Sequence, residues 1–461
     1  MRFVFVLSHT QYYRHFDRAI RQLCAEGHTV TVVTKRIPKP NATDRAIDNA
    51  RAGVRGLSFE LLLDRGDWWK HIIRPVRELI NYTLYFRPEH PSSTMARLWR
   101  AYFPPVAWMF LRNPKNARWL AQPAIQNRLR QVEGKIPPSK QILEWLKENQ
   151  PDVVLASPLV AVHSEELEYV KAAKALHIPT VYALASWDNL TTKGTLHVQP
   201  DLTLVWNTGL LDEAVMLHDV PSGRIVITGA PVFDYWFEMK ASCSREEFCE
   251  AAGIDPKQQY VVYLCTSRQM IEDEETLILD LAAELQKNTA TRDMILLVRL
   301  HPYNELNVRL LTSPTIRVYP EQGDWPDTES AKHRYYDTLH YAKATVGINT
   351  SAMIESAIVD IPCVTIIDER YRSWQTDMGH FRHLMNGDFL EVQYSYATAV
   401  EAIARILDGQ DVKCEQRKRF VRQFIRPHGL QRPASEILCA AVEMAAEGKT
   451  AAQIKQTIDS Q

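Results

Sequence analysis

The sequence predicts an α/β protein built from two Rossmann-like, doubly wound domains that face each other across a cleft. Short apolar runs alternate with segments of helical spacing along most of the chain, which is typical of parallel sheets covered on both faces. The alternation pauses near residue 236 and starts afresh near residue 260. The length of 461 residues also suits two or three domains, at roughly 150 residues per domain.

The first domain is predicted over residues 1–235. Residues 2–7 are almost all apolar, as in a strand buried on both faces, and residues 16–26 carry their apolar side chains on one helical face. Gly27 ends this helix and residues 29–33 form the next strand, so the chain begins with a parallel β-α-β unit. Further strands are predicted at 57–63, 152–156, 178–184, 201–206 and 224–229, with helices starting near residues 141, 165 and 209.

The second domain is predicted over residues 236–461. Its strands are expected at 260–265, 294–300, 316–319, 344–346 and 361–367, and its helices at 276–285, 335–342 and 352–359. Two more helices are predicted at 396–407 and 433–446, and these C-terminal helices are candidates for packing back on the first domain. Both domains should present loops at the carboxyl edges of parallel strands, where open α/β sheets bind ligands.

The composition argues against several classes of protein. A net charge of −1 gives no general attraction to nucleic acid, and no groove-reading motif is present. No apolar run approaches the length of a membrane-spanning helix, and residues 3–7 are too few for a signal-peptide core. The seven cysteines are scattered without a CxxC pair, which indicates reduced thiols and no zinc site. A cytoplasmic protein is expected, with peripheral attachment to the inner face of the membrane left open.

A basic, aromatic insertion is predicted at about residues 64–140 in the first domain. Residues 65–135 contain thirteen Lys/Arg and only four Asp/Glu, together with five tryptophans. Basic residues mixed with Trp and Tyr suit a membrane surface, a lipid-linked acceptor or an acidic glycan. The alternative is a helical insertion whose aromatic side chains pack on the domain and whose arginines are solvated. Prolines at positions 75, 88, 91, 104, 105 and 114 favour that alternative, because they break any long amphipathic helix.

The stretch from Asn349 to Glu355 is the leading candidate for a nucleotide site. Asn349, Thr350 and Ser351 lie where a predicted strand turns into a predicted helix. A helix N-terminus offers free N–H groups and the positive end of its dipole to an anion, and the hydroxyls can add hydrogen bonds to phosphate. Glu355, one turn further, can accept from both hydroxyls of a ribose. The alternative is that Thr350 or Ser351 only caps the helix and Glu355 is a solvated acid.

Other strand-end loops of the second domain complete this candidate site. Ser267 and Arg268 follow the strand at 260–265, His301 follows the strand at 294–300, and residues 368–370 follow the last strand. Hydroxyls, arginine, histidine and one carboxylate form a set that suits a diphosphate and a ribose. No DxD motif or cluster with metal spacing is present, so a metal is not required. Arg268, His301 and helix N–H groups could stabilise a leaving diphosphate instead.

The first domain offers candidates for the acceptor side. His9 follows the first strand and is a candidate base, although it could simply hydrogen-bond within its loop. Asp188 follows another strand and is the second candidate base, although an Asx-type turn with Asn189 would explain it as well. The remaining acceptor-side candidates are Ser186, Trp187, Asn189 and His163.

Several of these motifs resemble the nucleotide-binding half of glycosyltransferases with the GT-B fold. The motifs are Arg299-Leu-His-Pro302, Asn349-Thr-Ser-Ala-Met-Ile-Glu355 and Ile361-Pro-Cys-Val. The similarity is nearest to the branch that contains CDP-glycerol glycerophosphotransferases and UDP-N-acetylglucosamine 2-epimerases. The segments at 186–194, 200–207 and 228–234 resemble bacterial surface-polysaccharide proteins of the same superfamily. The resemblance covers roughly residues 150–375 and leaves 64–140 uncovered.

The resemblance implies specific roles. Thr350 and Ser351 would hold the diphosphate, Glu355 the ribose, and His301 would lie beside the phosphates or the donor sugar. The glycerophosphotransferase pattern has Asp-Tyr-Ser-Ser where this chain has Asn-Thr-Ser-Ala, which weighs against a CDP-glycerol donor. The epimerase pattern has a glycine pair before its glutamate that is absent here, which weighs against epimerisation.

The function expected from residues and resemblance together is a metal-independent glycosyltransferase. It would move a sugar from a nucleotide-sugar donor to a cell-surface glycan or lipid-linked acceptor in polysaccharide biosynthesis. No cofactor is expected, because the nucleotide-activated sugar is a co-substrate. A CDP-glycerol-type glycerophosphotransferase, a nucleotide-sugar 2-epimerase and a non-catalytic GT-B scaffold that binds glycan or partners at the membrane are the alternatives.

Overall fold

The computed structural model describes residues 1–460 except 36–52, 89, 91, 104, 268, 269, 272, 303–305, 307–310 and 312. The chain forms two compact units. Unit 1 comprises Met1–Val232 and Phe424–Gln461, and unit 2 comprises Phe233–Gln423. The predicted division at 235/236 assigned the C-terminal helices to the second domain, as candidates for packing back on the first, and the chain from Phe424 onward is part of unit 1.

Unit 1 contains, within the described residues, a seven-stranded parallel sheet with the order β3-β2-β1-β4-β5-β6-β7. The strands are β1 Arg2–Leu7, β2 Thr29–Thr34, β3 Leu57–Leu61, β4 Val153–Ser157, β5 Thr180–Ala183, β6 Leu202–Val205 and β7 Ile225–Ile227. The strand order changes direction between β1 and β4, and Leu7 pairs with Ser157 there. The loops after these two strands therefore emerge side by side at a topological switch point, where doubly wound sheets bind ligands.

The helices of unit 1 alternate with these strands and also form the insertion. They are α1 Tyr13–Ala25, α2 Lys70–Leu84, α3 Ser93–Trp99, α4 Pro105–Leu111, α5 Pro114–Leu120, α6 Pro123–Lys135, α7 Lys140–Asn149, α8 Glu166–Ala175, α9 Asn189–Thr192, α10 Thr208–His218, α18 Ala434–Ala446 and α19 Ala451–Ser460. The insertion thus folds as a series of mostly short helices from α2 to α6. Prolines at the starts of α4, α5 and α6 explain the interruptions, since proline suits the first turn of a helix but not its interior.

The C-terminal helices join unit 1 because they complete its hydrophobic core. Ile437 and Val442 of α18 belong to the same buried cluster as Phe5 of β1 and Phe16 of α1. Polar contacts add to this packing, since the Cys439 thiol lies 3.4 Å from the carbonyl oxygen of Ala19. The apolar face of α18 is thus buried against the helix that covers β1.

Unit 2 contains, among the residues described, a six-stranded parallel sheet with the order β10-β9-β8-β11-β12-β13. The strands are β8 Tyr260–Leu264, β9 Ile295–Arg299, β10 Ile316–Val318, β11 Ala344–Gly347, β12 Cys363–Ile366 and β13 Leu390–Gln393. The helices are α11 Arg245–Ala251, α12 Glu274–Lys287, α13 Glu329–His340, α14 Ala352–Ile358, α15 Phe381–Asn386, α16 Tyr396–Leu407 and α17 Cys414–Phe420. The switch point of this sheet lies between β8 and β11.

The predicted α/β class with parallel, doubly wound sheets is confirmed. The predicted helix at 396–407 has the same bounds as α16, and most predicted strands agree with the structure to within two residues. Strand β13 was not predicted, because Leu390–Gln393 is short and only half apolar. None of the described helices is long and apolar enough to cross a membrane.

Candidate active site

The carboxyl edge of the second sheet gathers the predicted nucleotide-binding loops. Ser267 follows β8, His301 follows β9, Asn349 follows β11 and residue 368 follows β12. These four strands are neighbours in the order β9-β8-β11-β12, so their loops leave the sheet side by side. Ser267 and Asn349 follow the two strands that flank the switch point, which is the usual ligand position in such sheets.

The loop after β8 is held by a buried glutamate. The backbone N–H of Thr266 donates to Glu274 Oε1 at 2.9 Å, and the hydroxyl of Tyr263 donates to the same oxygen at 3.0 Å. Glu274 is the first residue of α12, so helix and loop are tied together at the residue before Ser267. Arg268, the predicted diphosphate ligand, lies outside the described residues.

Asn349 has a different role from the predicted nucleotide contact. Its side chain is buried, and its Nδ2 donates to the carbonyl oxygen of Trp374 at 2.6 Å and lies 3.1 Å from His380 Nε2. Both hydrogens of the amide nitrogen are therefore directed at residues of the segment after β12. Asn349 positions that segment against the strand-end loop, and its Nδ2 is not available to a phosphate.

A buried glutamine completes the same loop system. Gln375 Nε2 donates to the carbonyl oxygens of Ile348 at 3.1 Å and Ile366 at 2.9 Å. These two carbonyls lie just after β11 and at the end of β12, so the amide joins the ends of two adjacent strands. The sequence offered no signal for this role, because an isolated glutamine in a loop has no characteristic spacing.

Thr350 and Ser351 lie at the N-terminus of α14, as predicted. Ser351 is the N-cap residue and is exposed, and no side-chain capping hydrogen bond is made from it. Thr350 Oγ1 accepts from the backbone N–H of Ala352 at 3.4 Å. The first backbone N–H groups of α14 and two hydroxyls are thus gathered at the carboxyl edge of the sheet.

Glu355 is oriented by a tyrosine whose ring is covered by an arginine from another element. The hydroxyl of Tyr335 in α13 donates a short hydrogen bond to Glu355 Oε2. The guanidinium of Arg299, the last residue of β9, covers the ring of Tyr335 at 3.7 Å from its centroid. Burial and the carboxylate of Glu355 raise the pKa of Tyr335 well above its ordinary value, so the phenol stays protonated and donates.

Arg299 is in turn held by an ion pair. Its Nη2 lies 3.3 Å from Asp324 Oδ1, and Arg334 Nη2 approaches Asp324 Oδ2 at 2.5 Å. The Arg299 side chain is only 7% exposed, and its Nη1 has no hydrogen-bond partner among the described residues. A buried guanidinium with an unpaired N–H group at a strand end is suited to an anion.

His301 is positioned by a close approach of the backbone. Its ring lies edge-on to Trp325 with centroids 5.8 Å apart. A Cβ placed on Gly323 would lie 2.6 Å from the carbonyl oxygen of His301, which is closer than such atoms pack. Glycine is therefore required at position 323 for the chain to pass over the His301 loop.

The carboxyl edge of the first sheet holds a cluster of aromatic and titratable groups around His9. The ring of His9 lies 4.6 Å from that of Tyr12, which lies 5.6 Å from His15. Burial, Arg14 and Lys193 lower the pKa of His9 to about 4. His9 is therefore a neutral imidazole at neutral pH, with a buried Nδ1 that has no hydrogen-bond partner in the described residues.

Asp188 belongs to the same cluster but is paired. Its Oδ2 lies 3.2 Å from Lys193 Nζ and accepts from the hydroxyl of Thr192 at 3.1 Å. The Asp188 charge raises the pKa of Lys193, so the ammonium persists. The Asp188 carboxylate is thus engaged by an ammonium and a hydroxyl, whereas Nδ1 of the neutral His9 imidazole has no hydrogen-bond partner in the described residues.

The residues next to Asp188 differ in how far their side chains are exposed to solvent. Asn189 is buried, and its Oδ1 accepts from the backbone N–H groups of Ala185 at 3.1 Å and Ser186 at 3.0 Å. This is the alternative turn-shaping role, so the predicted acceptor contact by Asn189 is not supported by its geometry. Trp187 is also buried, whereas Ser186 remains partly exposed.

A buried acid that the sequence did not single out lies close to this cluster. Glu166 follows β4 at the switch point, is almost fully buried, and accepts from the hydroxyl of Ser164 at 2.6 Å. Its charge contributes to the raised pKa of Tyr12, which places the two groups near each other. Burial raises the pKa of Glu166 to about 7. A glutamate at a helix start usually indicates only a favourable dipole interaction, so the sequence pattern did not distinguish it.

His163 contacts the insertion. Its backbone N–H donates to Glu78 Oε1 at 3.0 Å, its Nδ1 lies 3.2 Å from the same oxygen, and its ring meets Tyr102 edge-on at 6.2 Å. It lines a small pocket with basic residues of the insertion that include Arg65, Lys70 and Arg74. His163 therefore connects the loop after β4 to helix α2 and is half exposed.

Three side chains of the types that bind metal ions lie close together at the opposite edge of the first sheet. Glu26, His28 and Glu443 bring one potential ligand atom each within 4.8 Å of one another. His28 already contacts Glu443 at 2.8 Å and the amino terminus at 3.1 Å. Because His28 precedes β2, this group is remote from the strand ends that carry the candidate site.

The matches to known proteins agree with this architecture. Residues 201–428 match the model of the family described as CDP-Glycerol:Poly(glycerophosphate) glycerophosphotransferase. This region contains strands β6 to β13 and therefore includes every predicted nucleotide-binding residue. No protein with a curated description matches the sequence.

Solved structures of the same fold are distant in sequence. A glycosyltransferase from Rickettsia africae superposes with a TM-score of 0.55 at 10% identity, covering 97% of this chain and 98% of that one. The UDP co-structure of MnaA from S. aureus gives 0.55 at 10% identity and 97% coverage of both chains. UDP-GlcNAc 2-epimerase from Neisseria meningitidis, solved with UDP-GlcNAc, gives 0.53 at 10% identity, covering 97% and 100%.

At these identities the solved structures establish the fold alone, and the family match over residues 201–428 supports a transferase. The predicted resemblance is confirmed at both levels. The chain therefore has the α/β fold of the GT-B glycosyltransferases and UDP-N-acetylglucosamine 2-epimerases, and its residues 201–428 are similar to the glycerophosphotransferase family, which indicates a transferase enzyme.

Proposed function

We propose that this protein transfers a sugar from a nucleotide-sugar donor to a hydroxyl of a cell-surface glycan or lipid-linked acceptor. The observation that carries the proposal is the set of loops at the carboxyl edge of β9, β8, β11 and β12. They bring Ser267, His301, Thr350 and Ser351 to one edge, and Glu355 one helical turn behind it. The fold match to a UDP co-structure and to an epimerase solved with UDP-GlcNAc supports a nucleotide as the ligand.

The donor would bind with its diphosphate at the N-terminus of α14. The first N–H groups of the helix, the hydroxyls of Thr350 and Ser351, and His301 would donate hydrogen bonds to the phosphate oxygens, while Glu355 would accept from the ribose hydroxyls. The charge that develops on the leaving diphosphate would be stabilised by the same groups, so the reaction needs no metal.

The acceptor would bind at the carboxyl edge of the first sheet. His9, held neutral by burial and by neighbouring cations, would remove the proton of the acceptor hydroxyl as its oxygen attacks the anomeric carbon. Lys193 and Arg14 would stabilise the proton-free state of His9, and Asp188 would keep Lys193 charged.

Glycerophosphate transfer from CDP-glycerol is the second candidate, and it is favoured by the family match at residues 201–428. The two reactions leave different products. Attack on an anomeric carbon releases a nucleoside diphosphate, whereas attack on the glycerol-bearing phosphorus of CDP-glycerol releases CMP.

A melting-shift screen with UDP, CDP, GDP and CMP, followed by chromatography of the nucleotide released during turnover, tests the proposal. A shift with a nucleoside diphosphate and release of that diphosphate are expected, because a ligand that binds the folded state raises its stability. Release of CMP from CDP-glycerol would favour the second candidate. Unchanged donor binding and turnover in Glu355→Ala would refute the ribose role of Glu355.

A further inference from the structure

Part of the insertion forms an exposed surface that combines cations with large apolar side chains and contains no acid. Between His90 and Glu133 the sequence has seven Lys/Arg and no Asp or Glu. The cations of this stretch divide into two groups. Arg130 is paired with Asp219 at 2.6 Å, whereas the other six are exposed and make no salt bridge to any described residue: Arg97, Arg100, Arg112, Lys115, Arg118 and Arg128.

Large apolar side chains are exposed between these cations. Met109 is 66% exposed, Phe110 49% and Trp119 50%, and Leu98 and Tyr102 are exposed as well. Of the thirteen large hydrophobic side chains that are exposed in the described residues, six lie between residues 92 and 132. Such a concentration is unusual on a protein surface that only faces water.

Local contacts hold this surface together. The guanidinium of Arg100 lies over the ring of Trp108 at 4.9 Å, which joins the turn after α3 to α4. The side-chain amide of Asn116 donates to the carbonyl oxygen of Phe110 at 2.8 Å, which joins α4 to α5. On the inner side, Tyr82 of α2 packs against Phe103 at 5.2 Å. The basic apolar surface, as we call these residues 97–119, therefore rests on the body of the insertion.

We propose that the basic apolar surface docks peripherally on a bilayer that contains anionic lipid. Charge complementarity favours an anionic bilayer. The five exposed cations between residues 97 and 119 make no salt bridge to a described residue, and this stretch contains no acid, so the surface is complementary to a negatively charged headgroup layer. The apolar component selects a bilayer over a soluble acidic glycan. A glycan can stack on Trp119 or Tyr102, but it offers nothing apolar to Met109 and Phe110, whereas the boundary of headgroups and acyl chains does.

This inference goes beyond the transfer reaction, and its test needs no nucleotide. The full-length protein is mixed with vesicles of phosphatidylcholine alone or with added phosphatidylglycerol, and the fraction that sediments is measured. Sedimentation only with phosphatidylglycerol, decreasing with salt, is expected. Binding that does not depend on anionic lipid would overturn the proposal.

Two variants separate the charged and apolar contributions. Arg112→Glu/Lys115→Glu/Arg118→Glu should lower partitioning on the order of a hundredfold or more. Met109→Ser/Phe110→Ser should weaken binding while retaining its salt dependence. The matched controls Lys140→Glu/Lys147→Glu and Met216→Ser alter exposed residues elsewhere in unit 1 and should bind as the wild type does.

Three results would refute the assignment. The first is undiminished binding by both surface variants, with melting temperatures confirming that they are folded. The second is binding of a soluble polyanion such as dextran sulfate without binding to anionic vesicles. The third is a dimer in sedimentation equilibrium that Met109→Ser/Phe110→Ser converts to a monomer without any vesicle binding, since the surface would then join two copies of the chain.

Discussion

Tyr335 donates a hydrogen bond to Glu355, and the same tyrosine ring is covered by the guanidinium of Arg299 at 3.7 Å. Three elements that are far apart in the chain thereby meet, namely β9, α13 and the start of α14. The carboxylate that is proposed to bind the ribose is oriented by a residue that the sequence did not single out. The rigidity of this contact should matter for donor affinity more than for the chemical step.

Tyr335→Phe should raise the KM for the donor about tenfold and change kcat little, because it removes one hydrogen bond to a charged group. Tyr336→Phe is the matched control, since the neighbouring phenol makes no hydrogen bond among the described residues. In the double variant Tyr335→Phe/Glu355→Ala the two effects should not add, since both act on one contact. Steady-state kinetics with varied donor concentration measures these effects, and full additivity would contradict the coupling.

Gly323→Ala should displace the His301 loop. A Cβ at this position would lie 2.6 Å from the His301 carbonyl oxygen, so the backbone must move, at a cost of about 1–3 kcal/mol in unfolding free energy. Donor affinity should fall together with the melting temperature. Gly134→Ala is the control for the same substitution in open space, and it should leave both unchanged or raise stability slightly. A fully stable Gly323→Ala variant with wild-type KM would contradict the positioning of His301 by this contact.

The pH dependence of turnover should report the neutral imidazole of His9. A pKa lowered from 6.5 to about 4 means that His9 loses its base function only as the pH falls toward 4. The profile of kcat/KM should therefore be flat from neutral pH down to about 5, without the fall near 6.5 of an ordinary histidine. His9→Asn should lower kcat by roughly a hundredfold or more, and exposed His177→Asn should not. If kcat/KM falls to half of its plateau near pH 6.5, and this profile is unaltered in His9→Asn, the base would be a residue other than His9.

Glu166 should make the stability of unit 1 depend on pH in the direction opposite to that of a salt-bridged acid. Its folded pKa of about 7 lies above the ordinary 4.5, so the folded state keeps a proton that the unfolded state releases. The stabilisation is present below pH 4.5 and is lost as the pH rises through 7, by about 3 kcal/mol in total.

Glu166→Gln removes this titration. Its melting temperature should therefore rise relative to wild type between pH 5 and pH 8, as followed by calorimetry. The exposed Glu148→Gln is the matched control and should show a constant difference. If the difference in melting temperature between Glu166→Gln and wild type does not change with pH, the buried, protonated state of Glu166 would be contradicted.

Local patterns were sufficient for much of the fold. Continuous apolar runs predicted the strands, and helical spacing predicted α1, α16 and α18 to within a few residues. The strand-end positions of Ser267, His301 and Thr350 followed directly, since loops after parallel strands leave the sheet at one edge. The role of Asn349 could not be predicted in this way. Whether its amide faces a ligand or the segment at 371–380 depends on residues that are distant in sequence.

The sequence by itself determined the α/β class, the regular succession of parallel strands and the types of residue at the strand ends. These depend on interactions within a few residues, through periodicity and capping. The tertiary structure alone decided which C-terminal helices complete unit 1, that Tyr335 under the guanidinium of Arg299 donates to Glu355, and that Glu166 is a buried acid near Tyr12. Each of these is a contact between residues far apart in the chain, where burial and neighbouring charge, rather than local spacing, set the outcome.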